Sequence, residues 1–202
     1  LRYSKRGMNI LKKYLKDGYC RTAAEKLLHA ERGTVLLTTG FYVAGYAETD
    51  GPLGTVAVAE ALNQLGFHSV VVTDKYCKGF FELKQLDVEY VDIAADEQVY
   101  EDILDKYHPV YMISIERCGE NAEHEYANMR GVSITSETAA IDHLFELAPE
   151  KHIPTIGVGD GGNEIGMGNV KDIISEKLEL TPCVVPVDDL IIATTSNWGA
   201  YA

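Results

Sequence analysis

Short β-rich runs alternate with helix-forming stretches along almost the whole chain, and that alternation leaves few folds open. Strands are expected at Thr34–Thr39, His68–Thr73, Val88–Ile93, Val110–Ile115, Pro154–Gly159, Cys183–Val187 and Leu190–Ala193. The run Thr34-Val35-Leu36-Leu37-Thr38-Thr39 is continuous rather than alternating, the pattern of a strand buried on both faces. Between the strands, helical spacing of apolar residues predicts helices at 52–65, 96–107, 138–147 and 165–178. Pro52 suits a first helical position, where its missing N–H costs nothing, and Gly66 suits a stop. Strand–helix alternation implies a mostly parallel sheet with helices on both faces, a three-layer α/β/α, Rossmann-like arrangement. Right-handed crossovers then bring every strand's carboxyl end to one edge. The loops at 40–54, 74–80, 116–131, 157–169 and 194–199 are expected to share that edge.

Residues 1–33 read as a helical N-terminal appendage, broken at Asp17-Gly18 and given no chemistry, and residues 34–202 as the α/β domain. A chain of 202 residues suits one such domain. Its net charge of −13 argues against nucleic acid or an anionic membrane as partner. No apolar run reaches the roughly 18–20 residues of a membrane span. Cys20, Cys77, Cys118 and Cys183 are widely spaced and form no CxxC pair, so free thiols in a reducing, cytoplasmic setting are expected. The scattered histidines offer no zinc spacing.

The chemistry concentrates in the loop after Pro154–Gly159. Gly157, Gly159, Gly161, Gly162, Gly166 and Gly168 crowd there with Asp160, Glu164, Asn163 and Asn169. The segment Gly157 to Gly162 matches the dinucleotide pattern G-x-G-x-x-G. That fingerprint needs an acid about 20 residues on, at the end of the next strand, and Asp160 would stand where the pyrophosphate should lie. A polar-ligand loop whose N–H groups form an anion seat is the better expectation, with a plain glycine turn as the structural alternative. Near the first strand, Asp50 or Thr49 can serve as a helix cap, which leaves Glu48 unexplained. Glu116-Arg117 follows an apolar strand: either a local ion pair, or an acid–base group beside an arginine that holds a substrate carboxylate. Acids at Asp160, Glu164 and Glu48 could instead bind a hard cation such as Mg²⁺ or Mn²⁺. Ser196-Asn197-Trp198-Gly199 adds a hydroxyl, a carboxamide and an aromatic wall, unless Trp198 is simply core.

Together and in order, Glu48-Thr49-Asp50-Gly51-Pro52-x-Gly54, Glu116-Arg117, Asn128-Met129-Arg130-Gly131, Gly159-Asp160-Gly161-Gly162-Asn163-Glu164-Ile165-Gly166-Met167-Gly168 and Ser196-Asn197-Trp198-Gly199 resemble the carboxyl-terminal domain of the D-glutamate cyclase family. The resemblance spans roughly residues 34–202 and departs from the family at Cys118, where proline is expected. It implies a hydro-lyase that converts D-glutamate to 5-oxo-D-proline and water. On that reading Asp50 or Glu116 takes the amine proton, and Arg117, Asn163 or a metal at Asp160 and Glu164 stabilises the oxyanion. The substrate's α-carboxylate would lie on the N–H groups of Gly161 and Gly162, with Glu48, Asn163, Asn169, Ser196 and Asn197 around it. The implied partners are a small acidic amino acid and either a second copy or a partner domain closing the cleft. A binder of an acidic amino acid or nucleotide, without that chemistry, is the alternative.

Overall fold

A computed structural model describes every residue except Arg2, Tyr3 and Glu179. Its centre is a six-stranded parallel sheet built from β1 (Thr34–Thr39), β4 (His68–Thr73), β5 (Asp87–Tyr90), β6 (Tyr111–Ile115), β7 (Thr155–Gly159) and β8 (Asp189–Ile192). A two-stranded antiparallel hairpin, β2 (Tyr42–Val43) and β3 (Tyr46–Ala47), rises from the loop after β1. The strand order across the sheet is β5-β4-β1-β6-β7-β8. From β1 the chain winds outward through β4 to β5, then returns to β6 and winds the other way to β8. The reversal falls between β1 and β6, the kind of switch point where open α/β sheets bind ligands.

Both faces of the sheet are buried, which is why its central strands read as unbroken apolar runs. On one face Leu36, Val70, Val72 and Met112 meet α1 (Met8–Leu11), α4 (Gln98–Tyr107), α5 (His143–Leu147) and α6 (Lys171–Lys177). On the other, Val35, Leu37, Val71, Ile113 and Ile156 meet α2 (Tyr19–His29) and α3 (Pro52–Gln64). The last helix, α7 (Ser196–Tyr201), lies against α3. The expected α/β/α architecture is thus the one observed.

In the amino-terminal segment, Met8 and Leu11 are fully buried in the core, and the Tyr19 hydroxyl donates to Ile192 O over 3.0 Å. Several local expectations need correction. Cys183–Val187 is not a sheet strand. Its hydrogen bonds go to the glycine loop instead, Cys183 N to Gly162 O and Gly166 N to Val185 O. The helix expected from Ile165 starts only at Lys171, after a 3₁₀ turn at Met167–Val170, because Gly166 takes a left-handed conformation at φ +102° that no right-handed helix passes through. The helix expected over 138–147 is reduced to a 3₁₀ turn, Thr135–Glu137, and α5. The loop expected at 194–199 is largely α7, and Trp198 on it is 64% exposed.

Among the described residues no helix is long and apolar enough to cross a membrane. The four cysteines are free thiols.

Candidate active site

The carboxyl edge at the switch point carries a cavity of about 480 Å³. The β2–β3 hairpin region (Phe41 to Ala44) forms one wall and Asn128 to Arg130 the other, while Glu48, Glu116 and Asn163 face it and Arg6 enters from the amino-terminal segment. A larger cavity of about 770 Å³ lies at the opposite edge, beside the starts of β6, β7 and β8 at Tyr111, Thr155 and Asp189. Crossover topology gathers the chemistry-bearing loops at the first cavity, not the second.

Glu116 is held there by an unusual backbone. It follows β6 with φ +49°, a left-handed conformation that costs a non-glycine residue about 1–3 kcal/mol. Gly51 makes this possible: a Cβ at Gly51 would lie 2.8 Å from Glu116 Cβ and 2.9 Å from Ile115 O, and its own φ is +96°. The Glu116 carboxylate accepts from the Ser196 hydroxyl and lies within hydrogen-bonding reach of Glu48. Burial pushes the Glu116 carboxyl well above its ordinary range, and the nearby Glu164 and Asp160 carboxylates push it further. Glu48 is also raised, by burial first and then by Asp50. Two carboxyls in mutual contact and short of water share protons, because both cannot ionise cheaply.

Asp160 follows β7 and is 2% exposed, yet it has a cation. Arg6 forms an ion pair with it. Burial and Glu164 together raise its pKa to about 7, against the opposing pull of Arg6. Asp160 therefore changes charge near neutrality.

The expected anion seat exists, but the chain fills it. Glu164, fully buried, accepts from Asp160 N at 3.0 Å, Gly161 N at 2.5 Å and Gly162 N at 2.6 Å. The N–H groups of Gly161 and Gly162 are thus not free for a substrate carboxylate. Both Glu164 oxygens are engaged by these N–H groups, and Asp50, Glu116 and Asp160 each offer a carboxylate oxygen within 4.8 Å of the others. That donor set is all hard oxygen, which fits a divalent cation.

Other expected residues serve the frame. Asp50 accepts from Ser196 N and Asn197 N at the start of α7, and from Gly51 N. Asn197 Oδ1 in turn accepts from Gly51 N and Gly54 N at the start of α3. The two side chains cap each other's helices, which uses the capping capacity of both. Arg117 points away from the cavity into the protein. It is 1% exposed, pairs with Asp74 at 2.6 Å, and donates to Gly40 O and Ala139 O. The burial of the Arg117 side chain against Asp74, Gly40 O and Ala139 O thus sends it elsewhere than Glu116, which faces the cavity. Asn169 is exposed, and its amide is spent on both backbone groups of Val187. Asn163 does face the cavity and pins Ala127 O at 2.7 Å. Ser196 sits fully buried behind Glu116.

A family model described as D-glutamate cyclase-like, C-terminal, matches residues 2–202. This chain belongs to that family. The match takes in the amino-terminal helices as well as the α/β core. The human mitochondrial D-glutamate cyclase is 34% identical over 207 residues, covering 89% of this chain and 33% of that protein. This member of the D-glutamate cyclase-like family thus spans about a third of that relative's length. Among solved structures, the UDP-glucose 4-epimerases of Brucella ovis and Thermus thermophilus, each in complex with NAD, are 15% and 14% identical with TM-scores of 0.42 and 0.43. Each match covers 73% of this chain, and 49% and 52% of the respective epimerase. Likeness at that identity concerns the fold alone.

Arg6, Phe41 and Tyr42 escape the sequence reading. Arg6 and Asp160 are separated by 154 positions, and no local pattern marks an arginine in a polar amino-terminal segment as part of a distant site.

Proposed function

We propose that this chain carries the acid–base site of a cyclase that closes D-glutamate to 5-oxo-D-proline and releases water. The observation that supports this most is the convergence of Glu48 and Glu116, which line the cavity, with Asp160, whose carboxylate lies within 4.8 Å of that of Glu116; the proton affinities of all three are raised. The reaction needs such groups. The substrate ammonium must lose a proton before its nitrogen can attack the side-chain carboxyl carbon. An ionised Asp160 accepts that proton near neutral pH. Asp50 is poorly placed for this task, because three backbone N–H groups already occupy it.

As the C–N bond forms, negative charge develops on the attacked carboxyl. A protonated Glu116 donates to that oxygen, and Glu48 beside it exchanges protons with Glu116. The C–O bond then breaks. Nitrogen gives up two protons in all, and both depart on the leaving oxygen as water, so charge and atoms balance. Enclosure between the hairpin and the Asn128–Arg130 wall favours a folded substrate with its amine near its own carboxyl. Alternatively, a divalent cation such as Mg²⁺ or Mn²⁺ at ionised Glu116 and Asp160, with Asp50 beside them, would supply positive charge against the oxyanion in place of the Glu116 proton.

The relative's length beyond this chain suggests that a partner domain or a second copy closes the cavity. The free cysteines fit a reducing compartment such as the cytoplasm. The test is incubation of the purified chain with D-glutamate, with and without Mg²⁺ or Mn²⁺, followed by chiral separation of products. The expected result is 5-oxo-D-proline. Binding of D-glutamate without product in any arm would leave the chain a binder.

A further inference from the structure

Resting on that reading of the cavity, we propose that Arg130 is the residue by which the site selects an amino acid carrying two carboxylates over one carrying a single carboxylate. The residues lining the cavity include two arginines, Arg6 and the exposed Arg130. Arg6 is committed to Asp160. Arg130 forms no ion pair or side-chain hydrogen bond among the described residues, although acids outnumber bases in the chain by 31 to 18. An arginine left unpaired beside acid-lined space has its five N–H donors available to a ligand.

The turn that carries Arg130 is built to hold it still. Asn128 Oδ1 accepts from Arg130 N at 2.9 Å and Val132 N at 3.1 Å. Asn128 N donates to Val132 O, and Gly131, at φ +71°, donates to Asn128 O. Below the tip, Ala127 and Ser133 pair across an antiparallel bridge. The base is fastened to the core from two directions, by Asn163 Nδ2 to Ala127 O at 2.7 Å and by the Tyr126 hydroxyl to the buried Asp142 at 2.6 Å. None of these bonds uses the Arg130 side chain, so truncating it leaves the turn intact.

With Gly161 and Gly162 already donating to Glu164, a ligand anion cannot be seated on the glycine loop. The acids that would handle the amine lie at the floor, and Arg130 stands on the facing wall. The carboxylate under attack lies among the proton-bearing groups, which leaves the second carboxylate for the bidentate fork of Arg130. 4-Aminobutanoate keeps the amine and the first carboxylate and has nothing for Arg130 to hold.

The experiment is calorimetric titration of the wild-type chain, Arg130→Ala and Arg130→Lys with D-glutamate and with 4-aminobutanoate. Wild type is expected to favour D-glutamate. Arg130→Ala should weaken D-glutamate about tenfold or more while leaving 4-aminobutanoate unchanged, with its melting temperature kept. Arg130→Lys should fall between, since lysine keeps charge and loses the fork. A wild type without preference, or an Arg130→Ala that keeps the preference or weakens both ligands alike, would overturn the assignment. An Arg130-dependent preference in a chain that makes no 5-oxoproline would end the cyclase reading alone. Turnover with a preference indifferent to Arg130 would end this one alone.

Discussion

Asp160 is where the account is most exposed at the level of one residue. A carboxyl whose folded pKa is raised binds its proton more tightly in the native state than in the unfolded chain. Its stabilising contribution is complete below the unfolded value near 3.8 and is lost as pH rises to about 7. Each unit of such a shift corresponds to about 1.4 kcal/mol before coupling to Arg6 and Glu164 is counted. Asp160→Asn carries no such proton. The melting temperature of wild type minus that of Asp160→Asn should therefore fall between about pH 4 and pH 7, and flatten above. A difference that is constant across that range would mean Asp160 titrates normally. Glu164 makes the contrast: equally close to the site, it is fixed by three backbone N–H groups and has a structural task.

Between elements, the junction of α3 and α7 decides whether the floor of the cavity holds together. Asp50 and Asn197 come from loops far apart in sequence, and each caps the helix of the other. Asn197→Ala should cost about 1–2 kcal/mol of unfolding free energy in urea. Combined with Asp50→Ala it should be non-additive by about 0.5 kcal/mol or more, because each change loosens the start that the other braces. Strict additivity would show the two caps to be independent. The elements themselves were largely legible beforehand. Buried parallel strands and an N1 proline leave strong local marks, and β1, β4, β6, β7 and α3 lie where those marks fall. What failed were segments whose partners are distant or whose backbone turns left-handed. Cys183–Val187 has strand-like composition but bonds the glycine loop, and Ile165 looks helical but precedes Gly166 at φ +102°.

Across the whole molecule, the sheet's reversal between β1 and β6 explains why loops spread over the sequence meet at one cavity. That Glu48, Glu116 and Asn163 would meet at the sheet's carboxyl edge could be read in advance, since crossover topology brings the loops that carry them together there. Their orientation could not. Arg117 was lost to Asp74, and Gly161 and Gly162 to Glu164, because competition among internal partners is settled only in three dimensions. An acid two or three residues beyond a glycine turn could have warned that the seat was taken. The most direct test compares the rate of 5-oxo-D-proline formation at saturating D-glutamate by wild type and by Glu116→Gln, which keeps the side chain's shape and its contact with Ser196. Glu116→Gln should be slower by about 10²–10⁴-fold with D-glutamate affinity within about twofold of wild type. Equal rates in the two proteins would contradict the assignment of proton transfer to Glu116.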